Sequence, residues 1–259
     1  MSFPVFVPVG PWRLHPHFVF ELLAYAVGFQ MYLWLRRRHG DPIATATRWL
    51  IVAAAIVGAA AGSRALYWLE VPTRILQHWH NPQFLLGGKT IVGGLIGGLI
   101  AVEWTKRWLG LKTPAGDLFA MPLALGTAIG RVGCFLTGLS DGTYGSPTTL
   151  WTGVDFGDGI RRHPTQLYEI AFLLLLATIL TRVRNHSVRA GDQFRIFMVG
   201  YLAFRLLVDV LKPDPRLGLG LSSIQWACIA MLAYYVPHAH RWVREWRASP
   251  PFMARGLED

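Results

Sequence analysis

The chain has 259 residues and a formal charge of +10; 53% of its residues are hydrophobic and only 15% are charged. A soluble domain carries about 25% charged residues, so this chain has too few to cover a water-facing surface of its size, and intrinsic disorder, a disulfide-stapled secreted module and a coiled coil are excluded as well. Its basic residues fall in short clusters between apolar runs, a pattern of membrane topology and not of a nucleic-acid-binding face.

About 20 apolar residues cross a bilayer as a helix. Seven such runs are predicted, at 18–35, 47–69, 90–104, 115–137, 167–181, 193–211 and 219–237, the third and fifth being short. The first ends in Arg36-Arg37-Arg38-His39 with no small-residue cleavage site, so it reads as a span and not as a signal peptide. Alternate connections hold 15 of the 25 basic residues on one side and 7 on the other, and Arg64, Arg131 and Arg205 fall inside spans. By the positive-inside rule the N-terminus is outside and the C-terminus cytoplasmic. The expected architecture is all-α: a single seven-helix membrane domain over 1–237, with a long outward-facing loop at 138–166, and a basic cytoplasmic tail over 238–259. Cys134 and Cys228 lie far apart in apolar stretches, and the two alone build neither a metal cluster nor a disulfide framework.

Glycines recur four apart at 58 and 62, 93 and 97, 94 and 98, and 126 and 130, a spacing that lets neighbouring helix backbones approach closely. Charges inside the spans need a separate account. An arginine at the bilayer centre costs at least ~2.5–3.5 kcal/mol. Arg64 sits near the end of its span, where it either reaches a headgroup region or pairs internally. Tyr201, Arg205 and Asp209 are spaced i, i+4, i+8 and share one helical face, which must meet protein or water. Arg131 stands between Gly130 and Gly133, which leave room around its guanidinium. A cavity holding two arginines suits a lipid phosphate, because guanidinium grips phosphate oxygens with two parallel bonds. A transporter cavity is the competing reading of the same charges.

The motifs themselves carry a resemblance. GRVGCFLTG followed by DGTYG (130–145) resembles the signature of the prolipoprotein diacylglyceryl transferases. AGSRALY (61–67), GGKTIVGGLIGG (87–98), RHPTQLYE (162–169), YLAFRLLVD (201–209) with Pro213-Asp214, and SSIQW (222–226) are similar to further family elements in the family's order. The resemblance implies a bacterial inner-membrane enzyme that moves the diacylglyceryl group of phosphatidylglycerol onto the lipobox cysteine of a preprolipoprotein. A thioether forms and glycerol phosphate is released, with no metal or organic cofactor and no nucleic acid. It implies that Arg131 and Arg205 hold the phosphate, that Tyr201 and Asp209 orient Arg205, and that Gly142 or Gly145 serves the loop turn. Gly130, Gly133, Arg64, Gln166, Tyr168, Glu169, Gly93 and Gly94 complete the expected substrate site.

The chain also departs from the family pattern. Val92 stands where the family has a histidine suited to accepting the thiol proton, Cys134 where it often has asparagine, and Leu139 where an acidic residue is expected, with Asp141 nearby. HPHFVFELLAY (15–25) replaces a Trp-Tyr-Gly element. Candidates for the missing base are His163, expected to be catalytic because its ordinary pKa of ~6.5 suits a base near neutrality, then Glu169, and the group of His15, His17 and Glu21. Cys134 is not expected to be a covalent nucleophile, since the family scheme has no enzyme-bound step. A relative acting on another acceptor, a silent lipid-binding homologue and a transporter remain the alternatives; the absence of an inverted repeat weighs against the last.

Overall fold

The computed structural model describes residues 3–185 and 189–248. Nine α-helices are described: α1 Pro16–His39, α2 Thr45–Glu70, α3 Pro72–His78, α4 Pro82–Leu86, α5 Ile91–Trp108, α6 Asp117–Thr137, α7 Thr165–Asn185, α8 Asp192–Val208 and α9 Ser223–Ala248. The protein is thus helical, as the apolar runs predict. Two small hairpins are added to the all-α expectation, Val7–Val9 with Trp12–Leu14 and Val154–Asp155 with Arg161–Arg162. In the second, the Asp155 carboxylate accepts the amides of Gly157, Asp158 and Gly159, which turns the chain within a loop.

Four helical stretches are long and apolar enough to cross a membrane, namely Pro16–His39, Thr45–Glu70, Asp117–Asp141 and Thr165–Arg184. Helix α5 carries Glu103, Lys106 and Arg107 within 18 residues, and α8 is only 17 residues long. Helix α9 runs through Pro237 to Ala248, past the expected start of the tail at 238. The rest of that tail, 249–259, lies outside the described residues.

Helix α6 is the most enclosed of the four stretches, with α1 against it on one side and α7 and α8 on another. Ala120, Ala124 and Ala128 are buried four apart on α6 and keep its neighbours close. Gly133 does the same at the far end: a Cβ there would meet Phe20 Cβ at 2.7 Å and His17 Cα at 3.3 Å, so it sets how near α1 begins. Helix α5 starts where the Thr90 hydroxyl accepts the Gly93 amide at 3.3 Å, while Ser63 of α2 holds the Thr90 amide at 2.9 Å.

Helices α2 and α5 interlock through Gly58 and Gly62 against Gly93 and Gly97. A Cβ on Gly62 would meet the Gly93 carbonyl oxygen and lie 2.7 Å from Gly97 Cα. The obstacles are backbone and cannot swing away. Gly62→Val is therefore expected to destabilise the fold by about 3 kcal/mol, read as a lowered unfolding temperature in detergent; an unchanged temperature would contradict this packing. Gly94 and Gly98, by contrast, have only ordinary contacts. Gly93 is thus a helix-packing position, and Val92 beside it is buried in the main apolar cluster.

At the opposite end of α1, Arg48 is fully buried. It holds Asp41 through Nε at 2.8 Å and Nη2 at 2.5 Å, and donates to the Ala115 carbonyl at 2.8 Å. Arg36 joins Asp41 at 3.0 Å. Two basic residues flanking the connection between α1 and α2 are therefore locked into an ion cluster.

Candidate active site

Helices α6, α7 and α8 bring Arg131, Glu169, Tyr201 and Arg205 together, all buried. Glu169 is the centre. Its Oε2 lies 2.8 Å from Arg131 Nε and 3.5 Å from Arg205 Nη1, and its Oε1 accepts the Tyr201 hydroxyl at 2.6 Å. One carboxylate thus spans two guanidinium groups.

Arg205 continues the network one helical turn on, where Nη2 lies 3.2 Å from Asp209 Oδ1. The Ser222 hydroxyl donates to the other Asp209 oxygen, and the Gln225 amide donates to Ser222 Oγ at 3.1 Å. Arg216 donates to Gln225 Oε1 at 2.8 Å and to the Asp209 carbonyl at 2.9 Å. Asp209 therefore orients Arg205 directly. Tyr201 does not; it reaches the guanidinium groups through Glu169.

The pairing leaves donors over. Arg205 Nε and Nη1 are buried with no hydrogen-bond acceptor, Glu169 lying 3.5 Å from Nη1, whereas Arg131 Nε is taken by Glu169 at 2.8 Å. Buried guanidinium donors left over in this way can take the oxygens of an incoming anion. Lys212, just beyond α8, is partly buried, and burial together with the Arg205 and Arg131 charges lowers its pKa to about 8. Only its place seven residues after Arg205 sets Lys212 apart, in the sequence, from the other basic residues outside the spans.

Other expected site residues lie further out in the network. Gln166 is buried and donates to Thr143 Oγ1 at 3.1 Å, and Thr143 donates to Asp141 at 2.5 Å. Gly142 turns the chain with φ +66°, whereas Gly145 packs on His163 and Leu211 and donates its amide to the His163 carbonyl at 2.8 Å. His163 Nδ1 lies 3.3 Å from the Tyr168 hydroxyl, which also meets Thr152 at 3.0 Å. Among the described residues no hydrogen bond or ion pair joins His163 to the arginine pair. Arg64 donates to the Ala60 carbonyl of its own helix at 3.1 Å, and Gly130 has only a 4.0 Å contact with Ala24.

A second cluster was not legible. Cys134, one turn beyond Arg131 on α6, meets His17 of α1 and Asp141 of the turn after α6. His17 Nδ1 lies 3.0 Å from Asp141 Oδ1 and 3.9 Å from Cys134 Sγ, and Arg131 Nη1 points at that sulfur from 3.7 Å.

Fold and site together define a helical membrane protein with two buried arginines gathered around one carboxylate. The chain belongs to the prolipoprotein diacylglyceryl transferase family, whose pattern it matches over residues 4–238. It is 30% identical over 259 residues to a phosphatidylglycerol–prolipoprotein diacylglyceryl transferase of Paracidovorax citrulli, covering 88% of this chain and 91% of that protein. Against the enzyme of the same name from Bordetella parapertussis, identity is 33% over 252 residues, again covering 88% and 91%. For Verminephrobacter eiseniae it is 32% over 279 residues, covering 98% and 96%.

Proposed function

We propose that this protein transfers the diacylglyceryl group of phosphatidylglycerol to the lipobox cysteine of a prolipoprotein in the bacterial inner membrane. The observation that carries this reading is the pair of unmatched buried donors on Arg205, set beside Glu169 and the second buried arginine, Arg131. A phosphodiester oxygen would complete them. The sulfur attacks the glycerol carbon next to that phosphate, a C–S bond forms, and the C–O bond breaks with its electrons going to glycerol phosphate. Positive charge already in place lowers the barrier because no solvent has to reorganise as the phosphate departs.

In this reading Arg131 and Arg205 contact the phosphate, while Glu169, Tyr201 and Asp209 position them. Gln166, Tyr168, His163, Gly142 and Gly145 shape the loop wall on the approach to that pair. Seven spans, an outer N-terminus and a cytoplasmic C-terminus with its basic tail complete the proposal. The support for this topology is the uneven distribution of basic residues. The activity is tested by incubating the protein in phosphatidylglycerol-containing micelles with a lipobox peptide and weighing the peptide. A mass gain of one diacylglyceryl group is expected; an unmodified peptide would refute the assignment.

Lys212 gives the site a pH dependence. A bound phosphodiester favours the ammonium form, so lipid affinity is expected to fall several-fold as pH rises through about 8. Lys212→Arg should flatten that profile, since arginine stays charged throughout. A slope that survives in Lys212→Arg would place the titrating group elsewhere.

A further inference from the structure

We propose that Cys134, His17 and Asp141 form a zinc site whose open fourth position takes the thiol of the incoming cysteine. The proposal rests on the diacylglyceryl-transfer reading above and names the group that activates its nucleophile.

The three ligand atoms, one sulfur, one nitrogen and one oxygen, all lie within 4.8 Å of one another. Tetrahedral zinc with ordinary bond lengths separates such atoms by roughly 3.4–3.6 Å. Two of the three separations, 3.9 Å between Sγ and Nδ1 and 3.0 Å between Nδ1 and Oδ1, are within a few tenths of an ångström of that range, and the third is under 4.8 Å. A thiolate–imidazole–carboxylate set suits zinc, whereas magnesium and calcium take oxygen ligands.

What surrounds the three ligands points the same way. A metal-bound histidine almost always gives its second ring nitrogen to a carboxylate, a backbone carbonyl or water. His17 turns Nδ1 to the cluster and Nε2 towards Glu21 Oε2 at 3.6 Å. Glu21 is itself held by the Tyr25 hydroxyl at 2.7 Å and by Lys89 at 2.9 Å. Asp141 turns Oδ1 to the cluster and takes the Thr143 hydroxyl on Oδ2. The Arg131 guanidinium supplies an N–H to Cys134 Sγ. Each ligand thus has its own outer partner, and the His17 side chain is still 38% exposed, which leaves a way in for a fourth ligand.

Position gives the site its role. Arg131 touches the cluster through Nη1 and faces Glu169 through Nε, so one guanidinium links the cluster to the phosphate receptor. A thiol bound to zinc loses its proton outright; here the proton leaves to solvent and the sulfur stays as thiolate beside the glycerol carbon. The chain has Val92 where the family's histidine would accept that proton. A metal thiolate does the same work without a base.

The test is metal binding, read independently of turnover. Purified protein should carry one zinc per chain. After stripping, cobalt should give a sulfur-to-cobalt charge-transfer band that is lost in Cys134→Ser. A lipobox peptide should strengthen the band, and its Cys→Ala version should not. Glu21→Gln, which removes no ligand, should weaken zinc binding by about 10–100-fold. Should Cys134→Ser fail to fold, zinc protection of Cys134 from maleimide in the wild-type chain reads the same contact. Absence of the cobalt band, or its survival without Cys134, overturns the site. Full-rate transfer by metal-free protein overturns the site and leaves the transfer activity standing. A zinc-loaded chain that never modifies the peptide overturns the transfer reading together with the thiol-binding role.

Discussion

Replacing Arg205 by alanine should lower diacylglyceryl transfer by about 100- to 1,000-fold or more, the usual cost of removing one preorganised donor to a developing anion. The effect belongs at the upper end, because Arg205 holds two of the unmatched buried donors and is fixed by both Glu169 and Asp209. Arg205→Lys keeps the charge but loses the planar fork, so lipid binding should survive while turnover stays low. Asp209→Asn should cost less than Arg205→Ala, since Asp209 positions the cation and supplies none itself. Steady-state rates with phosphatidylglycerol and peptide check the series. Near-wild-type rates in Arg205→Ala would remove this residue from the phosphate site.

The second large effect is expected at Glu169. Its carboxylate lies against both guanidinium groups, so Glu169→Gln leaves two buried cations facing each other with Asp209 as the remaining acidic partner of Arg205. Breaking a buried ion pair from one side costs about 3–5 kcal/mol. The unfolding temperature in detergent should drop sharply. Phosphatidylglycerol should then raise it more in the variant than in the wild type, because the lipid phosphate supplies the missing negative charge. Equal stabilisation of both chains would mean that the lipid phosphate does not reach the arginine pair.

Much of this site was readable because it rests on local periodicity. Tyr201, Arg205 and Asp209 fall on one face of a helix whatever the rest of the chain does, and an arginine flanked by glycines in an apolar run has to be accommodated. That both arginines face protein and not lipid follows from those facts. What each side chain touches does not. Glu169 reads from the sequence as a base or as the partner of a buried arginine, and only the packing of α7 against α6 and α8 brings it between two of them. Tyr201 and Asp209 looked equivalent on their face; one reaches Glu169 and the other Arg205.

The Cys134 cluster lay still further from sequence reasoning. His17 and Cys134 are 117 positions apart, and they meet because Gly133 lets the first turn of α1 close on α6. The departures from the family pattern lie at 15–25, Val92, Cys134 and Leu139 with Asp141 nearby. Cys134, His17 from the first of these stretches and Asp141 meet in the cluster, while Val92 is absorbed into the apolar core. Helix periodicity likewise says nothing about the two short hairpins, whose strands are two or three residues long.

The central claim, that the buried arginine pair takes the phosphodiester of phosphatidylglycerol and releases it as glycerol phosphate, is tested most directly by measuring glycerol phosphate from lipid nanodiscs. It should appear in equal amount to the thioether formed, only when a lipobox cysteine is present, and fall to background in Arg205→Ala. Release without the peptide, or undiminished release from Arg205→Ala, would contradict the account.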